Sequence, residues 1–306
     1  MPKDTIFTLI KNLKDRKSLE VEKKIRSIAD LNTNFLIYGE TGVGKDFWVD
    51  YLLSISQVPG ILNLNCGDVP ESLLESEWFG YKKGAFTGAD RDYEGKWRKA
   101  EGGILFLNQV DLLSVNLQSR LLRIIERKKY FPLGSNQEVG IDVRFVFSAD
   151  HDIEEKVRKG EFRQDLFYRI SSYSILVPPL RERKRDILPL LHYFADQKGV
   201  QVNLSPKAVN TLLAYPWRGN IREIENFVNN VTIMKDELTE RELGLLIKDS
   251  GHLFETIKKP EMSLQELEKE YISFLLQKYK SKVKVAEILN ISRKSLYNKL
   301  KQYEQD

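Results

Sequence analysis

The chain has 306 residues, of which 42% are hydrophobic and 30% charged, and its net charge is +4. That length accommodates two or three domains, and that composition excludes an intrinsically disordered chain. A single cysteine, Cys66, excludes an internal disulfide, and three histidines leave little material for a metal centre built on Cys or His. No apolar run approaches the ~18–20 residues that cross a bilayer, and the start Met1-Pro-Lys-Asp lacks the apolar core of a secretory signal. The expectation is a cytoplasmic protein without membrane contact.

In chain order, the first ~30 residues alternate charged with apolar positions and read as helix, and no sensory domain of ordinary size is expected ahead of them. From Asn34 the pattern changes. Phe35-Leu-Ile-Tyr38 reads as a strand ending in a glycine-rich turn, and Asp46 to Ser54 as a helix. Further strands are expected at Ile61–Leu64, Ile104–Leu107, Val143–Phe147 and Ser174–Val177, the last stopped by Pro178-Pro179. Short apolar strands separated by helical stretches indicate an α/β unit, a parallel sheet covered by helices. After Pro179 no strand is expected, and residues 184–248 read as helices punctuated by Gly199, Pro206, Pro216 and Gly219. A turn-like stretch near 250–260 follows. Ser263-Leu-Gln-Glu266 then has capping-box spacing, with Leu264, Leu267, Tyr271, Phe274 and Leu275 as one apolar stripe.

Gly39-Glu40-Thr41-Gly42-Val43-Gly44-Lys45 has the spacing G-x-x-x-x-G-K between an expected strand and an expected helix. Such a loop wraps its backbone N–H groups around phosphates, and the helix behind it adds its positive end. Lys45 is placed to reach the outer phosphates. The next residue is Asp46, where a Ser or Thr hydroxyl is usual.

The positive charge is concentrated at the end of the chain. Residues 281–306 carry six Lys or Arg against three acidic residues, most of the chain's excess. Val285 to Leu300 reads as two helices and a tight turn. Ala286 is small at the crossing, Asn290 occupies the turn and Ser292 caps the second helix. Ile291, Leu296 and Leu300 would face inward. Ser292, Arg293, Lys294, Ser295, Tyr297, Asn298 and Lys299 are the candidates for contact with double-stranded DNA. The alternative is a helical hairpin used only for dimerisation.

These motifs together resemble one family, the sigma-54-interacting AAA+ enhancer-binding proteins of bacteria. Gly84-Ala85-Phe86-Thr87-Gly88-Ala89 matches the family's GAFTGA hexapeptide letter for letter. Phe162–Arg169, Leu180-Arg-Glu-Arg183 and Tyr215–Glu223 resemble its further signatures, and the chain end is similar to its Fis-type helix-turn-helix. The resemblance implies a P-loop AAA+ core at 1–179, a helical lid at 180–250, a linker at 251–262 and an all-α DNA-binding domain at 263–306. It also implies that the hexapeptide is a surface loop inserted in a helix, presented to sigma-54 RNA polymerase. Asp46 fits the family, which commonly has an acid there. Asn65 is implied as the switch that senses the terminal phosphate. Arg163 and Arg169 are implied as arginine fingers acting in trans, and Arg222 as the lid arginine. ATP with Mg²⁺ is the implied cofactor, the metal held through the nucleotide without direct protein ligands.

The sequence departs from the family at one decisive place. Gly102-Gly-Ile-Leu-Phe-Leu107 runs into Asn108-Gln109, where the family has Asp-Glu. An amide keeps the shape of the acid without its charge. General-base assistance is typically about 10²–10⁴-fold in rate, and Mg²⁺ prefers anionic oxygen. Asp111, two and three positions further on, is expected to point elsewhere. Ser148-Ala-Asp150 replaces the family's Ala-Thr-Asn sensor, and Arg98 stands where an acid is common. The expectation is a DNA-bound regulator that grips ATP, hydrolyses it weakly or not at all, and works by self-association or in a mixed ring with an active homologue. Two alternatives stand beside it: an active mechanochemical ATPase carrying inactivating substitutions, and a DNA-binding protein whose AAA+ domain is only a scaffold.

Overall fold

The computed structural model describes residues 3–58, 60–67, 70–234, 237–238, 264–279, 281–289 and 291–303. The chain forms two compact units, Met1–Thr239 and Glu240–Asp306.

The first unit is built on a five-stranded parallel sheet. Its strands are β1 (Phe35–Tyr38), β2 (Ile61–Asn65), β3 (Ile104–Asn108), β6 (Arg144–Ala149) and β7 (Ser174–Leu176), in spatial order β2-β3-β6-β1-β7. Between β3 and β6 the chain makes a small antiparallel pair, β4 (Lys129–Tyr130) with β5 (Val139–Gly140). The central strands β1, β3 and β6 are largely apolar because both faces are covered, with alternate residues serving opposite layers, while the edge strands β2 and β7 expose Asn63, Ser174 and Leu176. Leu36, Leu105, Leu107, Phe145 and Phe147 enter one core with α4 (Glu71–Phe79), α5 (Val115–Arg127), α6 (Ile153–Arg158) and α7 (Gln164–Ile170). Phe35, Ile37, Ile104, Phe106 and Val146 enter the other with α1 (Lys3–Asn12), α2 (Arg16–Ile28) and α3 (Lys45–Ile55).

Arg144 places a buried charge in β6. The buried guanidinium of Arg144 donates to the carbonyls of Ile28, Ala29 and Thr33 at 2.8–2.9 Å, satisfying groups that the end of α2 leaves open. The N-terminal helices are also tied at their joint. Buried Asp186 accepts from the backbone N–H of Lys14 and Asp15 at 2.7 and 2.8 Å and from the Ser18 hydroxyl.

Beyond Pro179 come α8 (Ile187–Lys198), α9 (Pro206–Ala214) and α10 (Asn220–Met234). Contrary to the expectation, strands do not stop at Pro179: β8 (Gln201–Val202) and β9 (Glu237–Leu238) form a two-residue parallel pair. Pieces that short carry no readable alternation. The β4–β5 pair escaped notice for the same reason. The strand expected at 143–147 runs Arg144–Ala149, because Ser148 and Ala149 continue the ladder beside Ile37 and Tyr38.

The second unit contains α11 (Leu264–Tyr279), α12 (Lys282–Ile288) and α13 (Arg293–Tyr303). Ile272, Leu275, Val285, Ala286 and Leu296 form its core, with Ile291 and Leu300 packed against them. Ala286 lies in that core, as its size at the crossing demands. The apolar stripe differs in one place: Tyr271 is 40% exposed, and Ile272 takes the buried position. Ser263, Asn290, the side chains of Leu264, Leu267 and Phe274, the expected lid boundary at 250 and the linker at 251–262 lie outside the described residues.

Candidate functional site

Strands β1, β3 and β6 are parallel neighbours ending at Tyr38, Asn108 and Ala149, so the segments that follow them share one crevice at the carboxyl edge of the sheet. That edge is where open α/β sheets bind ligands. The loop after β1 turns through left-handed backbone at Gly42 and Gly44, at φ of 78° and 94°, and enters α3 at Lys45. Gly42 is also required by crowding, since a methyl group there would lie 2.4 Å from the Gly219 carbonyl. Lys45 Nζ donates to the carbonyls of Gly39 and Glu40 at 2.6 and 3.2 Å. Burial pushes the Lys45 ammonium below its ordinary range, opposed by the charges of Asp150, Asp111 and Asp46.

Residues from beyond Pro179 hold this loop from outside. Ile221 N–H donates to the Gly42 carbonyl at 2.9 Å, and Asn220 Nδ2 to that of Thr41 at 3.0 Å. Arg181 makes a two-pronged ion pair with Glu40 at 2.6 and 2.8 Å, which holds the Glu40 carboxyl below the usual range. Arg183, 1% exposed, donates to the Val43 carbonyl at 2.6 Å, and burial drags its guanidinium down to about 10. Arg222 is exposed beside the same loop, where its charge bears on Lys45 and Asp46. Arg181, Arg183 and Asn220 were legible only as members of motifs, not as the clamp on the loop.

At the end of β3 the hydrogen-bond directions are fixed by exclusion. The Ser148 hydroxyl accepts from Gln109 N–H at 3.0 Å and donates its own proton to Asn108 Oδ1, since an amide oxygen can only accept. Asn108 Nδ2 is thereby turned to Asp46, 3.1 Å from its Oδ1. An acid at position 108 would set two carboxylates face to face, an arrangement that needs a cation between them. The amide supplies a proton donor instead, and the pair is satisfied without one. Burial pushes the Asp46 carboxyl up, and the Lys45 charge opposes this.

Gln109 sits in left-handed backbone at φ 60°. A methyl group on Gly67 would lie 3.4 Å from Gln109 Oε1 and 3.8 Å from Asn65 Oδ1, so these two amides share one corner of the crevice. Asn65 also accepts from Gly67 N–H at 3.2 Å. Asp111 is committed to other partners, its nearly buried carboxylate taking Lys156 Nζ at 2.6 Å and Asp150 N–H at 3.2 Å, while its charge still bears on Lys45.

The remaining candidates lie outside the crevice. Arg163 is held by Asp165 at 2.7 and 3.0 Å and by the Ser119 hydroxyl at 3.0 Å, while Arg169 is exposed on α7. The segment Gly84–Ala89 does not interrupt a single helix. It lies between the end of α4 at Phe79 and a short helical turn at Trp97–Ala100, on a stem closed by Tyr81 and Tyr93. Gly80 and Gly95 explain the break, since their backbones touch where helical side chains would collide. Phe86 at its tip is 45% exposed, with its ring 4.9 Å from that of Tyr81.

In the second unit the Ser292 hydroxyl accepts from Ser295 N–H at 3.1 Å and caps α13. Arg293, Lys294, Ser295, Tyr297 and Asn298 are exposed. Lys299 departs from the expectation of a free outward cation. It is half-buried and paired with Glu268 at 2.7 Å, because α11 passes beneath that end of α13.

Residues 12–176 match the family model of the sigma-54 interaction domain. The chain belongs to the sigma-54-interacting family. Residues 181–253 match the AAA+ ATPase lid domain, and residues 263–303 the bacterial regulatory proteins of the Fis family. The transcriptional regulatory protein ZraR of Klebsiella oxytoca is 40% identical over 293 residues, covering 90% of this chain and 65% of that protein. The Nif-specific regulatory protein of Azotobacter vinelandii is 38% identical over 223 residues, covering 71% of this chain and 42% of its own length. The chain thus spans less than two thirds of the curated relatives it matches. The structure of NtrX from Brucella abortus in complex with ADP aligns with a TM-score of 0.70 at 25% identity, over 94% of this chain and 68% of that one. The same protein in complex with ATP aligns with a TM-score of 0.69.

The crevice fits a nucleotide's phosphates: a glycine loop with its lysine, a helix start behind it and a lid arginine beside it. It fits a metal less well, since both polar atoms of Asn108 are already engaged by protein. Among the described residues no helix is long and apolar enough to cross a membrane.

Proposed function

We propose that this chain is a sigma-54-type transcription regulator that binds ATP but hydrolyses it weakly or not at all. One observation carries the reading. The position that should hold a metal-binding acid is an amide locked between Asp46 and Ser148, while the phosphate loop beside it is complete. Gln109 supports it, because an amide cannot take a proton from water near neutral pH. ATP, when bound, would supply the triphosphate whose charge the loop and the lid are placed to meet. Lys45 and the loop N–H groups would hold its phosphates, and Arg222 would meet it from the lid. Mg²⁺ would arrive with the nucleotide and be held weakly.

The exposed Phe86 loop is the surface offered to sigma-54. The outward face of α13, with Ser292, Arg293, Lys294, Ser295, Tyr297 and Asn298, is offered to double-stranded DNA, and Lys299 contributes there by exchanging Glu268 for phosphate. Arg163 and Arg169 are read as the residues that would reach a neighbouring subunit's nucleotide, and Asn65 as the switch beside Gln109. Arg163 must leave Asp165 to do so. Such a protein acts by self-association or inside a mixed ring with a hydrolysing homologue.

The test is ATP binding and turnover on one purified sample, with and without Asn108→Asp and Gln109→Glu together. Tight binding with negligible turnover that rises in the double variant supports the reading. Ordinary metal-dependent turnover by the unaltered chain refutes it.

A further inference from the structure

Two amides replace acids at the end of β3, and one carboxylate, Asp150, stands at the end of β6, the strand between β3 and β1. The register pairs Tyr38 with Ala149, so Asp150 comes level with Gly39, the first residue of the phosphate loop. Its side chain leans onto that loop: Oδ2 accepts from the Thr41 hydroxyl at 3.1 Å. Its other oxygen accepts from His151 N–H at 2.7 Å and lies 2.9 Å from His151 Nδ1. Burial opposes its ionisation, but the bonds from His151, the Lys45 charge and the Thr41 hydroxyl prevail and keep the carboxyl below its ordinary range. Asp150 is therefore a fixed negative charge within electrostatic reach of Lys45, the residue that meets the outermost phosphates.

We infer that Asp150 is a specificity-determining residue that disfavours a third phosphate and tilts the pocket toward the nucleoside diphosphate. The terminal phosphate of a triphosphate would add negative charge near Lys45, the cation on which the Asp150 charge already bears. The diphosphate leaves that end of the loop free and keeps the attraction between Asp150 and Lys45. No amide or hydroxyl at this position would carry the same penalty. The inference rests on the phosphate loop being a nucleotide site and adds which nucleotide it favours.

The experiment is calorimetric titration of the full chain with ADP and with ATP, in EDTA and then in Mg²⁺, for the unaltered protein, Asp150→Asn and Asp150→Ser. The expected result in EDTA is a shift of the ATP-to-ADP affinity ratio toward ATP by about tenfold in both variants, equivalent to about 1.4 kcal/mol. ADP affinity itself moves less than the ratio, and Mg²⁺ narrows the difference by screening the added charge. Two variants of different shape guard against one failing to fold, and thermal melts check both. If both nucleotides bind and the ratio is the same in all three proteins, the inference is overturned and the nucleotide site stands. If neither nucleotide binds the unaltered chain, the site and the inference fall together.

Discussion

The two walls of the phosphate crevice are built on opposite principles. The wall made by the loop Gly39–Lys45 is held from outside by Arg181, Arg183, Asn220 and Ile221, which satisfy its carbonyls and its one carboxylate with cations and N–H groups. The wall made by the ends of β3 and β6 is held from within, Asn108 between Asp46 and Ser148 and Gln109 beside Asn65. The first wall carries Lys45, and on the proposed reading it would grip phosphate. The second has amides in place of acids at positions 108 and 109, with Asp150 the carboxylate that follows β6. Complete hydrogen bonding is thus a poor guide to chemical competence. What decides it is where net charge is left unspent.

Restoring charge to the second wall has the largest expected effect. Asn108→Asp with Gln109→Glu should raise steady-state ATP turnover by about 10²–10⁴-fold, the usual scale of a restored base. It should also make the melting temperature respond to Mg²⁺, since position 108 would then face Asp46 as a second carboxylate. Unchanged turnover alongside tight nucleotide binding would locate the defect elsewhere, with Asp150 the next position to test.

Next in size is the first wall's own charge. Lys45→Ala should weaken ATP binding by about 3 kcal/mol, roughly a hundredfold. A fluorescence titration that finds no difference would mean the loop does not hold nucleotide. Rising pH should have the same direction of effect at a lower pH than for an ordinary lysine. Burial lowers the Lys45 pKa, so its charge, and with it phosphate affinity, is lost early on the alkaline side.

The clamp gives a smaller effect, read as stability. Arg183→Met removes a buried donor and strips the Val43 carbonyl of its partner, at a cost of about 2 kcal/mol. Thermal melts should fall by several degrees, and ATP should recover part of the loss only if the loop still closes on it. Smallest of all, Phe86→Ala should change stability by less than about 1 kcal/mol, because the ring is half exposed and its packing is mainly on Tyr81. Its effect should appear only in a pull-down with sigma-54. A large drop in melting temperature would mean that Phe86 belongs to the core and the loop is not a contact surface.

Much of this was legible in the chain because it is local. The phosphate loop, the hexapeptide and the amides at 108 and 109 are short runs, and the chemistry of each follows from side-chain type and spacing. The central strands were visible because strands buried on both faces are largely apolar, and the edge strands β2 and β7 as short apolar runs between turn signals. The two-residue pairs β4–β5 and β8–β9 were not, since no pattern survives at that length. At the chain end, Tyr271 and Ile272 are both apolar neighbours, and one residue of rotation decided which is buried.

The sequence alone thus determined which groups this protein carries: a lysine closing a glycine loop, amides where acids are expected, an aromatic in a glycine-bounded loop and a basic final helix. Only the tertiary structure decided what each group is already committed to. Asn108 is spent on Asp46 and Ser148, Arg163 on Asp165 and Lys299 on Glu268, and Asp150 is brought onto Thr41 of the glycine loop by a strand register that joins residues more than a hundred positions apart. The physical reason is that residue type sets the charge and the donors a group carries. Hydrogen-bond partners at 3 Å are set by the packing of strands and helices distant in the chain.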